Sequence, residues 1–267
     1  QRQMCIRDRM SGLTYSMNKN KIESLADNVI NPITGQLFSI PSLDMGGYAD
    51  LRFILREGGS MGDLYSRTDL RRDANGAIYM DESNNVYTQK IDNPDSYIKL
   101  GSVLPKGNLA WRNNFMWKNF HVGFMISARL GGVVFSRTQA ILDKFGVSEA
   151  SADARDNGFV LINGNDRVNP ENWYTTVGST AVPQYYTYSA TNVRLQEASI
   201  GYTIPRKWLA NVCDIKVSLI GRNLWMIYNK APFDPEAVAS TDNFYQGIDN
   251  FMMPSLRNVG FSLNFKF

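Results

Sequence analysis

Apolar and polar residues alternate along several long stretches of this chain. From Val259 to Phe267 apolar side chains hold every odd position, and small or polar ones hold every even position. A period of two puts the odd set on one face of a β-strand and the even set on the other. The same alternation runs from Leu109 to Trp117 and, after Lys118-Asn119, from Phe120 to Leu130. Leu109, Trp111, Asn113, Phe115 and Trp117 share a face with Phe120, Val122, Phe124, Ile126, Ala128 and Leu130. Arg112, Asn114, His121 and Arg129 fall on the opposite face. Each arm is roughly nine to eleven residues long, the length a tilted strand needs to cross a bilayer, whereas soluble strands average about five to six. The pattern predicts a long hairpin closed by a very tight turn.

Further strands follow from the same rule. Thr191–Ile204 starts with Val193 and Leu195 on odd positions and continues with Ala198, Ile200, Tyr202 and Ile204 on even ones, which predicts a β-bulge near Gln196-Glu197. Ile215, Val217 and Leu219 begin another strand that continues to Trp225; Ala49–Leu55 and Leu13–Met17 add two more. Between them lie polar, turn-rich stretches at about 58–106, 131–190 and 228–254, read as long loops, with a helical turn at Ile141–Phe145. Long connections of this kind are rare in compact soluble domains but usual on one side of outer-membrane barrels. Residues 1–9 show no alternation and no apolar leader core. They read as a scar of sequencing or expression, or as a solvated loop, leaving 10–267 as the folded segment.

Bulk properties narrow the class. A net charge of +3 over 267 residues gives no basic surface for nucleic acid. No run of about eighteen apolar residues exists, which removes transmembrane helices and leaves barrels open. Aromatic residues are 12% of the chain, enough Tyr and Trp for interfacial girdles. His121 is the single histidine, so a His-based metal centre or triad is not expected. Cys5 and Cys213 read as two free thiols. Asp234 and Glu236 flank Pro235 and read as a structural turn rather than an acid–base pair, and Asp242 and Asp249 lack the spacing of a calcium loop. No catalytic residue, cofactor or metal is therefore expected. In the longest loop, Trp173, Tyr174, Tyr185, Tyr186 and Tyr188 are candidates for substrate stacking or partner contact, against ordinary loop packing.

The residues also carry a family resemblance. Asn192–Pro205 resembles the "RLxxxxxGYxxP" strand of SusC/RagA-type TonB-linked outer-membrane proteins. Gly221-Arg222-Asn223-Leu224 is similar to the "GxNL" segment that follows in that family, and Phe233-Asp234-Pro235-Glu236 to its "DPE" loop. Gly58–Tyr65 resembles its "EGxxxGxxY" element, and Pro105–Phe120 its "KNF" hairpin. The matches occur in the family's order from about residue 50 to 267. The resemblance implies a 22-stranded plugged barrel in the outer membrane of a Gram-negative, Bacteroidetes-like cell. It implies energised import of oligosaccharides or peptides, with a SusD-like surface lipoprotein as lid and TonB acting through a part not in this sequence. About six to eight strands are expected here, too few to close such a barrel, so the chain is expected to be all-β and a C-terminal piece of a non-enzymatic transporter. Phe261, Leu263, Phe265 and Phe267 would be read by the outer-membrane assembly machinery. The rival readings are a secreted or surface β-sandwich that binds carbohydrate and a passive porin-like barrel, with a β-rich hydrolase more distant. In the sandwich, other strands would cover the apolar face of the Leu109–Leu130 hairpin.

Overall fold

The computed structural model describes residues 7–179, 182–209, 212–242 and 245–266. Its main feature is a six-stranded antiparallel sheet of β1 (Arg7–Ser16), β2 (Gly107–Trp117), β3 (Phe120–Leu130), β4 (Asn192–Ile204), β5 (Asp214–Asn229) and β6 (Asn258–Lys266). The strands lie side by side in chain order. Residues directly opposite in an antiparallel ladder share a face, so the register tests the predicted alternation. Trp111 pairs with Leu13 and Ile126, Val122 with Phe115 and Ile200, and Leu219 with Ile200 and Phe261. A largely apolar face therefore crosses all six strands, interrupted on β1 and β2 by Arg9, Ser11 and Asn113, where the Arg9 guanidinium donates to Asn113 Oδ1. The two 11-residue arms β2 and β3 meet at Lys118-Asn119. Lys118 takes φ 53°, the positive value that a two-residue hairpin turn requires.

The expected bulge is present. Met125 pairs with Glu197 and Ile126 with Leu195, which leaves Gln196 as the extra residue and restores the apolar phase on both sides of it. Strand β1 starts at Arg7, ahead of the Met10 boundary drawn from the sequence; Arg9 bonds Asn113 Oδ1 (Nη2, 3.0 Å).

The burial pattern is inverted relative to a soluble sandwich. Among the described residues, every strongly buried hydrophobic side chain, including Leu51, Phe53, Leu64, Val103, Phe135, Val177 and Ile248, lies outside the six strands. The aromatic face of the sheet is open, with Trp117 at 51% and Phe261 at 78% exposure. The covered hairpin that a sandwich requires is not found. Among the described residues no helix is long and apolar enough to cross a membrane. That says nothing of strands.

Connections are asymmetric in the expected sense. The Lys118-Asn119 turn and the 205–213 connection lie at one end of the sheet, and the long segments 17–106, 131–191 and 230–257 at the other. These segments are packed rather than irregular. Ser42–Tyr48, Leu51–Arg56, Asp63–Ser66 and Ile98–Ser102 form a four-stranded sheet. Helices α1 (Arg137–Lys144), α2 (Glu149–Asn157) and α3 (Pro170–Gly178) extend the single helical turn expected near Ile141–Phe145. Their starts are fixed by Ser136, Ser148 and Asn169, whose side chains accept backbone N–H groups of the first turn. Leu51, Phe53, Leu64, Phe135, Ala140, Val177 and Ile248 come from all three long segments and build one shared core.

Candidate functional site

Three of the motifs, Asn192–Pro205, Gly221–Leu224 and Phe233–Glu236, meet at one place, the long-loop end of the sheet's polar face. Arg194 on β4 is 3% exposed and spreads its guanidinium over four partners. Nε donates to Asn192 Oδ1 (3.3 Å) and Nη1 to Asn223 Oδ1 (3.3 Å). Nη2 reaches Asp234 Oδ1 (3.0 Å) and Glu236 Oε2 (3.1 Å). Asn192 Nδ2 donates to Glu236 Oε1 (3.3 Å), and the Glu236 N–H caps Asp234 Oδ1 (3.1 Å). Ser255 Oγ donates to Asp234 Oδ2, and Asn223 Nδ2 to the Leu256 carbonyl (3.4 Å). The cluster therefore ties β4, β5, the 230–257 connection and the approach to β6 into one unit.

Local backbone chemistry explains why the sequence takes this form. Asn223 sits at φ 57°, a left-handed conformation that Asn tolerates, at the bulge where the ladder steps from the Glu197–Arg222 pair to the Leu195–Trp225 pair. A Cβ on Gly221 would come within 2.7 Å of Leu224 Cδ2, so the small residue makes room for the following leucine. Asn229 Nδ2 donates to the carbonyls of Ala231 (2.9 Å) and Phe233 (2.6 Å), which bends the chain into the Asp234-Pro235-Glu236 turn. Burial pushes the Asp234 carboxyl up, but Ser255, the Glu236 N–H and Arg194 together hold it below its ordinary 3.8. Both carboxylates are thus engaged as a clamp on Arg194.

The other singled-out residues are distributed as follows. Arg112, Asn114, His121 and Arg129 all lie on the polar face, opposite the aromatic one. His121 Nε2 is 2.9 Å from Thr203 Oγ1, Arg112 reaches Met125 Sδ at 3.8 Å, and Arg129 Nη2 donates to the Val103 carbonyl at 2.8 Å. Asn114 faces Gly123, where an added Cβ would meet Asn114 Oδ1 at 2.7 Å. The four spread along the face, with Arg129 nearest the Arg194 cluster.

The loop aromatics do not form one platform. Tyr186 is 2% exposed, donates to Asp143 Oδ2 (3.0 Å), and burial drives its phenol far above the ordinary range. Tyr188 packs edge-on against Phe233 (5.7 Å), and burial pushes its phenol up to about 12. Trp173 packs edge-on against Tyr185 (5.5 Å), and Tyr174 OH donates to the Ala150 carbonyl (3.1 Å). Phe261, Leu263 and Phe265 line the open apolar face of β6, while Phe267 lies outside the described residues. Asp249 is buried and accepts from Ser136 Oγ (2.6 Å), and no metal-binding cluster occurs among the described residues. Cys213 is a free thiol; Cys5 lies outside the described residues. The Arg194 cluster itself was readable only as separate motifs, since nothing in their spacing shows that they meet.

No family model matches the chain. It is 25% identical over 286 residues to a protein of Formosa agariphila named TonB-dependent receptor P3, over 96% of this chain and 26% of that protein. The fold matches the RagAB peptide importer in its open-open state with a TM-score of 0.66 and 14% identity, over 99% of this chain and 27% of that one. The closed-closed state matches with a TM-score of 0.64 and 17% identity, over 98% and 27%. The chain thus spans about a quarter of the length of these relatives. Likeness in sequence and fold supports a barrel segment of SusC/RagA type.

Proposed function

We propose that this SusC/RagA-type chain is part of the wall of an energised outer-membrane importer, acting on peptides or oligosaccharides together with a SusD-like surface lipoprotein. The observation that carries the reading is the inverted burial. A single-layer sheet turns a largely apolar face one way and a polar face the other, while the well-packed hydrophobic cores among the described residues lie in the long connections at one end. That is the arrangement of a strand wall between lipid and a wet lumen. An open edge in lipid leaves backbone groups unpaired at several kcal/mol each, so β1 and β6 need partners from the rest of a closed barrel. The likeness to a TonB-dependent receptor and to a peptide importer supports the energised reading and the lipoprotein partner.

In this reading the wall does not transform its substrate; it positions and passes it. Strand β6, with Phe261, Leu263 and Phe265 on its open apolar face, belongs to the lipid-facing side of that wall. Uptake of a labelled peptide or oligosaccharide mixture by cells carrying the intact barrel checks the proposal. Uptake is expected to stop when the membrane is de-energised with a protonophore. Uptake that persists at full rate would leave a passive pore and refute it.

A further inference from the structure

A cleft of about 210 Å³ opens on the polar face at its long-loop end, beside the Arg194 cluster. Its floor comes from three neighbouring strands through Thr14, Ser16, Asn108 and Ser127, and its two charged walls are Arg129 and Glu236. Both oxygens of Glu236 are fixed, one by Arg194 and one by Asn192, and its side chain is still 42% exposed. Arg129 is held at one corner by the Val103 carbonyl. Among the described residues it makes no ion pair within 4.0 Å, and its buried Nε has no hydrogen-bond partner. The Arg129 cation, with no carboxylate at ion-pair distance among the described residues, thus faces the rigid Glu236 carboxylate across a polar gap.

We propose that this cleft is a subsite for the carboxyl-terminal residue of a short peptide, its carboxylate on Arg129 and its amide N–H groups toward Glu236. Three observations select this chemistry. A guanidinium with free donors prefers a planar carboxylate, which it meets with paired hydrogen bonds. Beside the cation, Glu236, fixed by Arg194 and Asn192, offers an acceptor for N–H groups, which suits a ligand that brings a carboxylate and donors together rather than a bare ion. No aromatic ring lines the cleft, so a sugar ring finds no stacking surface there. The volume corresponds to about seven water molecules, which is room for one terminal residue and its preceding amide.

The inference rests on the wall reading above, because only there is this face wet and on the substrate's path. Binding to the purified intact barrel tests it, with trialanine, trialanine amide and galacturonic acid as probes in titration calorimetry. The native barrel is expected to bind trialanine at least tenfold more tightly than the amide. Arg129→Gln is expected to erase that preference, and Arg129→Lys to keep part of it. Equal binding of acid and amide by the native barrel overturns the proposal, as does a loss of both alike in Arg129→Gln. Displacement of trialanine by an equal concentration of galacturonic acid overturns the peptide assignment in favour of an acidic sugar. Energy-independent uptake would instead strike the wall reading's importer step and leave these affinities unchanged, so the two failures are distinguishable.

Discussion

Replacing Arg194 with methionine separates the clamp from the wall that carries it. The side chain keeps its apolar stem but loses every donor to Asn192, Asn223, Asp234 and Glu236. Removing one partner of a buried, hydrogen-bonded ion pair costs about 3–5 kcal/mol, because the other charge stays buried without compensation. Here only Asp234, at 8% side-chain exposure, is deeply buried, whereas Glu236 at 42% is largely rehydrated. The lower end, about 3 kcal/mol, is therefore expected. That corresponds to a shift of about 100-fold in local opening of the 230–257 connection. Hydrogen exchange on the intact barrel in detergent reads it directly. Protection in 230–257 should fall about 100-fold while the Gly107–Leu130 hairpin keeps its native rates. Arg194→Met combined with Asp234→Asn should recover much of the loss, because the stranded charge is gone. Unchanged protection in 230–257, or an equal fall in the hairpin, would refute the clamp as a local device.

Three other outcomes follow from the same structure. Asp234 is held below its ordinary 3.8, so the open connection binds more protons than the closed one; clamp stability is full above about pH 5 and is lost as pH falls below 3.8 through the folded value. Exchange in 230–257 should be flat from pH 7 to about 5, after correction for the intrinsic rate, and should rise below, whereas Asp234→Asn shows no such acid step. Ile126→Arg places a charge on the apolar face between Trp111 and Leu195, near the middle of the strand, at about 2–4 kcal/mol for the bilayer midplane, while Met125→Arg places it on the polar face. Heat-modifiable mobility on gels should show poor assembly for the first and near-native assembly for the second, and equal yields would contradict the assignment of faces. Tyr186→Phe leaves the buried Asp143 short of a donor and should cost about 1–3 kcal/mol in thermal unfolding of the long-loop core, with ligand binding unchanged.

The wall was legible because it is one layer thick. No second layer packs on the six strands, so nothing overwrites their period of two, and even the Gln196 bulge appeared as a phase change in Thr191–Ile204. The long connections obey this rule only in part: the strand expected at Ala49–Leu55 is present as Leu51–Arg56, but it lies in a separate four-stranded sheet and its alternation is blurred for a physical reason. In Leu51–Arg56 the structure buries Leu51, Phe53 and Ile54 together, because the strand is wrapped by neighbours from segments far away in sequence. Pattern alone cannot supply those neighbours. Helices α2 and α3 did leave local signals that periodicity did not capture: Ser148 before Glu149, Asn169-Pro170-Glu171, and Gly158 at φ 82° as a left-handed cap.

The Arg194 cluster lies between these two cases. Its residues were visible as the RL, GxNL and DPE elements, and the turn reading of Asp234 and Glu236 was sound. What the sequence lacked was the register. Only when β4 and β5 pair with the bulge at Asn223 does the Asn223 side chain point toward Arg194, and only then does the Asp234 turn fall back over β4. The cluster is thus a consequence of strand pairing and also a check on it. A one-residue slip of β5 would turn Arg222 and Asn223 to opposite faces, leaving Arg194 buried with its charge unmet. The separate motifs are the parts of one device that makes the wrong register expensive at the mouth of the wall.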